Sequence, residues 1–541
     1  MRKPLALRLQ MYLMSHPRAA NRLLGFLGTR WVESTARRAA LKAARQAYER
    51  VPFYRACFEQ HGFTAAKMQR LTWNDFQQLP LLSKDDTEDV DEKDLVDRQV
   101  PSPQGDALIG RSSGTLRVPI HWPLGWSEFY LSRGAFEAIL RDLGTPAGAP
   151  TAIVHMNAVE GGDQSGNMPY RTFYSIKEQK GWNMEIVATG EDSATTHSWL
   201  RWFAKQGYTS LLLISFPGSL ERLFTYINGL PEAERVNWDT FQHKHIFIGG
   251  QLVVRSIRDL VQREMHLDPT SLTSETCLYI SSDTGQHMAR TTRFTIWLER
   301  YLTQHPELYA VLGLSEENRD KPLLEFIPPF SMYFEFDRPE GLTLTMWKHR
   351  PLIRYKIGDL VWTRRMEALE QLLEKAAPTW REDFLRAGGH VADIPKAVTL
   401  GVVLGRADEI CIVNAANVSP AIVQQALERA GIAAQVHHFK HAADPARPNE
   451  YRLYLELMDT QTEQNRLALA ERWREPLLNA LLQVPAASDL AAAHRANPIS
   501  FLLFVRSRDE DEFLGDKDRR KKTYAVRAEP LRQKVGSQAN A

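Results

Sequence analysis

The sequence predicts an α/β protein in two parts. A large domain of parallel and mixed sheets flanked by helices is expected over 1–404, and a smaller α+β domain over 405–541. Three observations carry this. Between about 126 and 290, short apolar runs alternate with amphipathic helical stretches, the pattern of a largely parallel sheet covered on both faces. From Gly405 the pattern changes to strand pairs around one helix, then a long helical stretch and a final strand. A chain of 541 residues also exceeds what one ordinary core serves.

Composition narrows the function classes. A net charge of +2 gives no reason to expect a nucleic-acid partner. The three cysteines, Cys57, Cys277 and Cys411, stand far apart without metal-ligand spacing, which argues for a reducing compartment and a cytoplasmic protein. No apolar run reaches the length of a membrane span. Near the start, Arg8, His16, Arg18 and Arg22 interrupt any signal-peptide core, so the apolar stripe there is expected to lie on the protein itself.

Residues 1–100 read as a helical opening. Ala47, Val51, Tyr54 and Phe58 keep helical spacing, with a break at Pro52, and Trp73 and Phe76 sit on a short helix ended by Pro80. Next, Ala107, Leu108 and Ile109 run into Arg-Ser-Ser-Gly-Thr-Leu-Arg-Val-Pro at 111–119, and Ile120, His121 and Trp122 run out. A strand–loop–strand of this kind can aim hydroxyls and backbone N–H groups at one oxyanion. The same composition also suits an ordinary Ser/Gly turn. A helix follows over 125–144, with Phe129, Tyr130, Phe136 and Leu140 on one face. Strands are then expected at 150–156, 209–218 and 243–253, separated by helices. Gly249 and Gly250 close the last of these, where two missing side chains allow a flat ring close to the backbone.

Further on, a strand from Cys277 ends in Ser-Ser-Asp-Thr-Gly at 281–285. That turn offers one carboxylate, Asp283, to a hard cation, and it equally fits a turn that caps a helix. A hairpin over 331–346, with Glu335 in its first strand, and a third strand ending at Asp359 come next. Arg354 on that third strand is read as structural, paired with an acidic neighbour. The charged segment 364–396, with Leu369, Leu372 and Leu373 on one stripe, reads as a helical insertion offering a partner or lid surface.

Three stretches, in this order, resemble the signatures of adenylate-forming (AMP-binding) ligases, in the branch typified by phenylacetate–CoA ligase. They are Ser-Ser-Gly-Thr at 112–115, Ile-Arg-Tyr-Lys-Ile-Gly-Asp-Leu at 353–360, and Leu-Gly-Arg-Ala-Asp at 404–408 with Asn-Val-Ser-Pro at 417–420. The resemblance runs from about 51 to 526. It implies ATP-dependent activation of a small-molecule carboxylic acid as an acyl-adenylate, then transfer to a thiol, coenzyme A first among acceptors. It also implies a mobile small domain and a bound magnesium ion, and it leaves room for a homodimer. Ser112, Ser113, Gly114 and Thr115 would hold the phosphates, with Thr115 counted as catalytic. Gly249 and Gly250 would lie beside the adenine, Ser282 beside the nucleotide and Asp283 on the magnesium. Asp359 and Arg406 would hold the ribose, Asp408 would act as the hinge, and Lys522, with Lys521 as second choice, would reach the reacting carboxylate. The basic run around Lys522 also fits a solvated tail.

The pattern is broken in places. Leu116, Arg117 and Val118 stand where the family has Thr, Gly and Lys, Gln251 where it has an acid, and Asn414 and Ala415 where it has Arg-Gly. Three readings follow from these departures: an altered acceptor such as an amine or a protein, a supply of the lost cation by Arg117, or a nucleotide- or partner-binding relative without catalysis.

Overall fold

The computed structural model describes residues 5–506 except 88, 98–108, 112–120, 124–125, 145–147, 158–163, 251–252, 282, 286, 315–317, 329–331, 337–340, 407–410, 415, 419, 445–446 and 485–486. The chain forms two compact units, with Leu404 closing the long run of the first and Gly405 opening that of the second.

Among the described residues, the first unit is built on a nine-stranded sheet. Its strands in spatial order are Asp359–Arg365, Thr399–Arg406, Leu324–Phe326, His287–Arg290, Glu275–Ile280, His243–Gly249, Ser210–Ser215, Thr151–His155 and Met184–Ala188. The last five run parallel. Beyond Glu275–Ile280 the neighbours pair antiparallel, so this strand is the boundary between the two halves of a mixed sheet.

Strand alternation sends side chains to two separate cores. Ile153, Leu212, Ile214, Phe247 and Leu278 meet Phe136, Ile139 and Leu140 of the helix Trp126–Asp142, and Phe173 and Ile176 of the helix Gln164–Lys180. Ala152, Val154, Leu211, Leu213, Ile246 and Ile248 meet Leu200 and Phe203 of Ser193–Lys205, and Leu220, Leu223 and Phe224 of Pro217–Asn228, on the other face. Each such side chain contributes about 1.5–3 kcal/mol on leaving water. Local signals set the helix starts. Asp192 accepts from Ala194 N at 3.1 Å and Thr195 N at 3.3 Å, and Pro217 occupies the first turn of its helix.

The helix Gln164–Lys180 and the edge strand Met184–Ala188 have no counterpart in the sequence reading. Gly166 and Pro169 punctuate the helix, and the strand buries only Met184. The N-terminal helix Leu5–Ser15 lies on the protein, crossing Trp126–Asp142 at Gly134. A Cβ there would meet Met11 O and Met14 Cβ at 2.9 Å.

The segment 364–396 differs from expectation. It forms helices Met366–Ala376 and Trp380–Arg386 and a short turn Val391–Asp393. Its stripe is no lid or partner surface. Met366, Leu369, Leu373, Trp380 and Phe384 are buried against Phe294, Trp297 and Leu308, and Leu372 is partly buried there. Polar contacts tie it further: Arg18 donates to Asp393 at 2.6 and 2.8 Å, and Asn21 to Ala392 O at 3.1 Å.

The hairpin Met332–Glu335 and Thr343–Met346 pairs with a third strand, Leu352–Lys356, as expected. Asp359, however, does not end that strand; it opens the next, Asp359–Arg365, in the large sheet. Arg354 sits on the third strand at φ 46°, in the left-handed region. Its acidic neighbour is Glu335, gripped along one guanidinium edge by Nε at 3.0 Å and Nη2 at 3.1 Å. Arg354 also donates to Gln77 O at 2.7 Å and to Leu79 O, which joins the helical opening to this sheet.

The second unit has a three-stranded sheet with Arg447–Leu457 in the middle, antiparallel to Val436–Asp444 and parallel to Ser500–Arg506. Helices Pro420–Arg429 and Glu463–Leu482 cover it, with Trp473, Leu477 and Val423 in the core. A small hairpin, Cys411–Val413 with Ala416–Val418, turns at Asn414, whose φ of 49° suits Asn better than most residues.

Removal of the Arg354 side chain takes from the buried Glu335 carboxylate its two-point cationic partner. The variant Arg354→Met is expected to lose about 3–5 kcal/mol of unfolding free energy. Chemical denaturation checks this, and a loss under about 1 kcal/mol would show that the pair contributes little.

Candidate functional site

Ligands of parallel sheets gather beyond the carboxyl ends of the strands. In this sheet the richest such end is that of Glu275–Ile280. Gly249 ends the adjacent strand and is the direct partner of Leu278. A Cβ on Gly249 would approach Leu278 O to 3.0 Å. Gly250 adopts φ 77°, and a Cβ there would come within 2.3 Å of the Phe216 ring. Phe216 therefore packs closely against Gly250.

Asp359 reaches the same place from another direction. It follows Gly358 (φ 86°), is 9% exposed, and accepts a hydrogen bond from the Tyr279 hydroxyl. Its main chain is fixed as well, since Leu342 N donates to Asp359 O at 2.7 Å.

Asp283 lies three residues beyond the end of Glu275–Ile280, in a turn leading not to a helix but to the antiparallel strand His287–Arg290. Its N–H donates to Ser281 Oγ at 3.2 Å, and the ammonium of the buried Lys348 donates to its main-chain carbonyl. The Tyr355 phenol lies close to the Asp283 carboxylate. Burial first, and this carboxylate second, push the phenol well above its ordinary value. Tyr355 therefore stays a neutral donor. Gly249, Asp283 and Asp359 thus meet at one strand end, held by Tyr279, Lys348 and Tyr355. Tyr279 and Lys348 have no motif of their own, and Tyr355 lies in the 353–360 signature with no role read from it there; only the fold reveals these supports.

Beside this polar corner lies a pocket of about 560 Å³, mouth included. Ala135, Phe136 and Ile139 form one wall, Met168 and Phe216 another, and Phe247, Leu278 and Ile280 the floor. Its polar lining is Ser132, Asn157, Ser215 and His287, with no charged side chain among the described lining residues. His287 is 5% exposed, and burial, aided by Arg290, pushes its imidazole down to about 3, so the ring is neutral. The pocket draws on the helix, the Gly249 strand and the residues before Asp283, all elements that carry sequence signals.

Arg406 ends Thr399–Arg406 and belongs to the second unit. Ser112, Ser113, Gly114, Thr115, Arg117, Gln251, Ser282, Asp408, Lys521 and Lys522 lie outside the described residues. Among the described residues, no group of three or more His, Cys, Asp or Glu is placed to hold a metal, and no helix is long and apolar enough to cross a membrane.

No protein-family model and no curated protein matches this chain. Solved structures do. The chain is similar to 2-hydroxyisobutyryl-CoA ligase in the postadenylation state in complex with 2-HIB-AMP, at 13% identity and a TM-score of 0.54, over 95% of this chain and 92% of that one. It is similar to the same ligase in complex with R3-HIB-AMP, at 14% identity and a TM-score of 0.53, again over 95% and 92%. An open conformation with 2-HIB-AMP and CoA matches at 13% identity and a TM-score of 0.51, over 91% of each chain. At such identity the likeness speaks for the backbone and not for residue roles. The large mixed sheet flanked by helices, the smaller α+β unit and this likeness along nearly the whole chain together give it the fold of the adenylate-forming ligases.

Proposed function

We propose that this chain activates a carboxylic acid with ATP, forming an acyl-adenylate and pyrophosphate, and then passes the acyl group to the thiol of coenzyme A. The observation that carries this reading is the meeting of Gly249, Asp283 and Asp359 at one strand end, next to an apolar pocket. An apolar acid and a polar nucleotide need such adjoining halves. The fold is shared with a ligase whose structure holds 2-HIB-AMP and CoA, which favours a thiol acceptor.

In this scheme Asp359 accepts the two vicinal hydroxyls of the ribose, a role suited to an acceptor-only carboxylate. Tyr279 holds that carboxylate in place. Asp283 offers a single hard oxygen ligand. That fits a magnesium ion whose other ligands are phosphate oxygens and water, and it does not fit an all-protein cage. The ion would neutralise phosphate charge as pyrophosphate departs. Lys348 fixes the Asp283 turn and adds positive charge beside it. Ser112, Ser113, Gly114, Thr115 and Ser282 complete the phosphate cradle in this proposal, Arg406 assists the ribose, Asp408 is the hinge, and Lys522 offsets the charge of the reacting carboxylate.

The variant Asp359→Ala removes two charge-assisted hydrogen bonds and is expected to lower acid-dependent ATP–pyrophosphate exchange about 100-fold or more. Retained exchange with intact acid dependence would refute the assignment. Lys348→Met loosens the Asp283 turn. It is expected to raise the magnesium concentration for half-maximal exchange about tenfold, by loss of one charge-assisted hydrogen bond, which a magnesium titration of the rate reads directly.

A further inference from the structure

The apolar pocket contains one group that its surroundings do not explain. His287 is more than nine-tenths buried, lines the pocket, and makes no hydrogen bond among the described residues. A buried ring with a donor and an acceptor nitrogen costs free energy unless something fills its hydrogen bonds. A core histidine of this protein shows the usual solution: His245 is engaged at both nitrogens, by Thr273 O at 2.6 Å and Thr276 Oγ1 at 2.9 Å. His287 differs because it stands opposite Ile280 across the hairpin and lines the pocket, so a bound acid is the partner open to it.

Position narrows the choice of partner. His287 pairs with Ile280 across the hairpin whose turn carries Asp283, so it stands at the reaction end of the pocket, away from the floor residue Phe247 on the neighbouring strand. Most of the lining is hydrocarbon, with Ser132, Asn157 and Ser215 its other polar side chains. The ring is uncharged, so it offers no ion-pairing advantage to a second carboxylate, and no lining residue would pair with an ammonium group. Both polar wall residues nearest in kind, Ser132 and Ser215, are neutral as well.

We infer that the acid taken here has an apolar, uncharged body and carries a hydroxyl on the carbons next to its carboxylate, and that His287 is the specificity residue that engages this hydroxyl. A hydroxyl both donates and accepts, matching what a neutral imidazole lacks. The inference rests on the adenylation reading above and deepens it. An acid without the hydroxyl would leave the ring buried and unsatisfied, and discrimination against a missing polar partner is stronger than against a missing methylene.

The test is acid-dependent ATP–pyrophosphate exchange by the full chain with matched pairs of apolar aliphatic and aryl acids, each with and without a hydroxyl at carbon 2 or 3. Wild type is expected to favour the hydroxylated member of at least one pair by about tenfold or more in kcat/KM. His287→Leu should bring that ratio close to one by losing the hydroxylated acid, and His287→Gln, which keeps a donor and an acceptor, should restore part of it. Equal loss for both members of a pair would mean that the ring serves the carboxylate or the fold, and would overturn the inference. An unchanged ratio in His287→Leu would overturn it too. Should His287→Leu fail to fold, judged by its melting curve, the ratio in wild type and His287→Gln decides, with a wild-type preference for unhydroxylated acids counting against the proposal. Silence with every acid is a different result, since it overturns the adenylation reading and this inference with it.

Discussion

The arrangement depends on how one strand is held at its two ends. Glu275 opens Glu275–Ile280 inside the protein, where Arg258 binds it through Nε at 3.1 Å and a second contact, while the same guanidinium reaches Glu299 at 2.5 Å. Burial opposes the guanidinium's charge, but the two carboxylates outweigh that and keep Arg258 charged. Buried charges of this kind add little net stability yet are costly to break, so they fix a register more than they strengthen a core. With its start fixed, the far end of the strand delivers Leu278 to Gly249, Tyr279 to Asp359, and the Asp283 turn to Lys348.

That far end is also where the sheet changes from parallel to antiparallel. On the parallel side, Phe247 of the neighbouring strand joins Leu278 and Ile280 of this one to form the floor of the pocket. The antiparallel hairpin on the other side folds straight back, so its turn places a carboxylate at the rim and an imidazole inside it. A dry compartment and a charged corner are thus made by adjacent strands. Water-poor surroundings strengthen the electrostatic contacts on the charged side.

Much of this was written in the sequence because period and punctuation agree with the fold. The unbroken apolar run Leu-Leu-Leu-Ile at 211–214 is that of a strand buried on both faces, and Pro52 and Pro217 begin helices as their fixed φ dictates. The glycines at 249 and 250 marked a close approach, and the Phe216 ring packs closely against Gly250. Sequence reading failed where long-range contacts decide. The stripe at Leu369 and Leu373 looks like any amphipathic surface helix until Phe294 and Trp297 cover it. Asp359 was placed at the wrong end of a strand because Gly358 breaks the run one residue before pairing moves to a different sheet. Tyr279 and Lys348 carry no motif, since a hydroxyl or an ammonium becomes a support only when a distant strand brings it to its partner. His287 is of the same kind: one histidine among 16, distinguished by burial and a pocket rather than by spacing.

The central claim is that the strand end beside the apolar pocket joins an acid to the adenylate of ATP. Its most direct test is exchange of labelled pyrophosphate into ATP by the wild-type chain with magnesium, measured with and without each of a panel of apolar carboxylic acids. The account predicts exchange that appears only when a fitting acid is added. Measurable ATP binding with no exchange across the panel would contradict it and leave a nucleotide-binding protein with this fold.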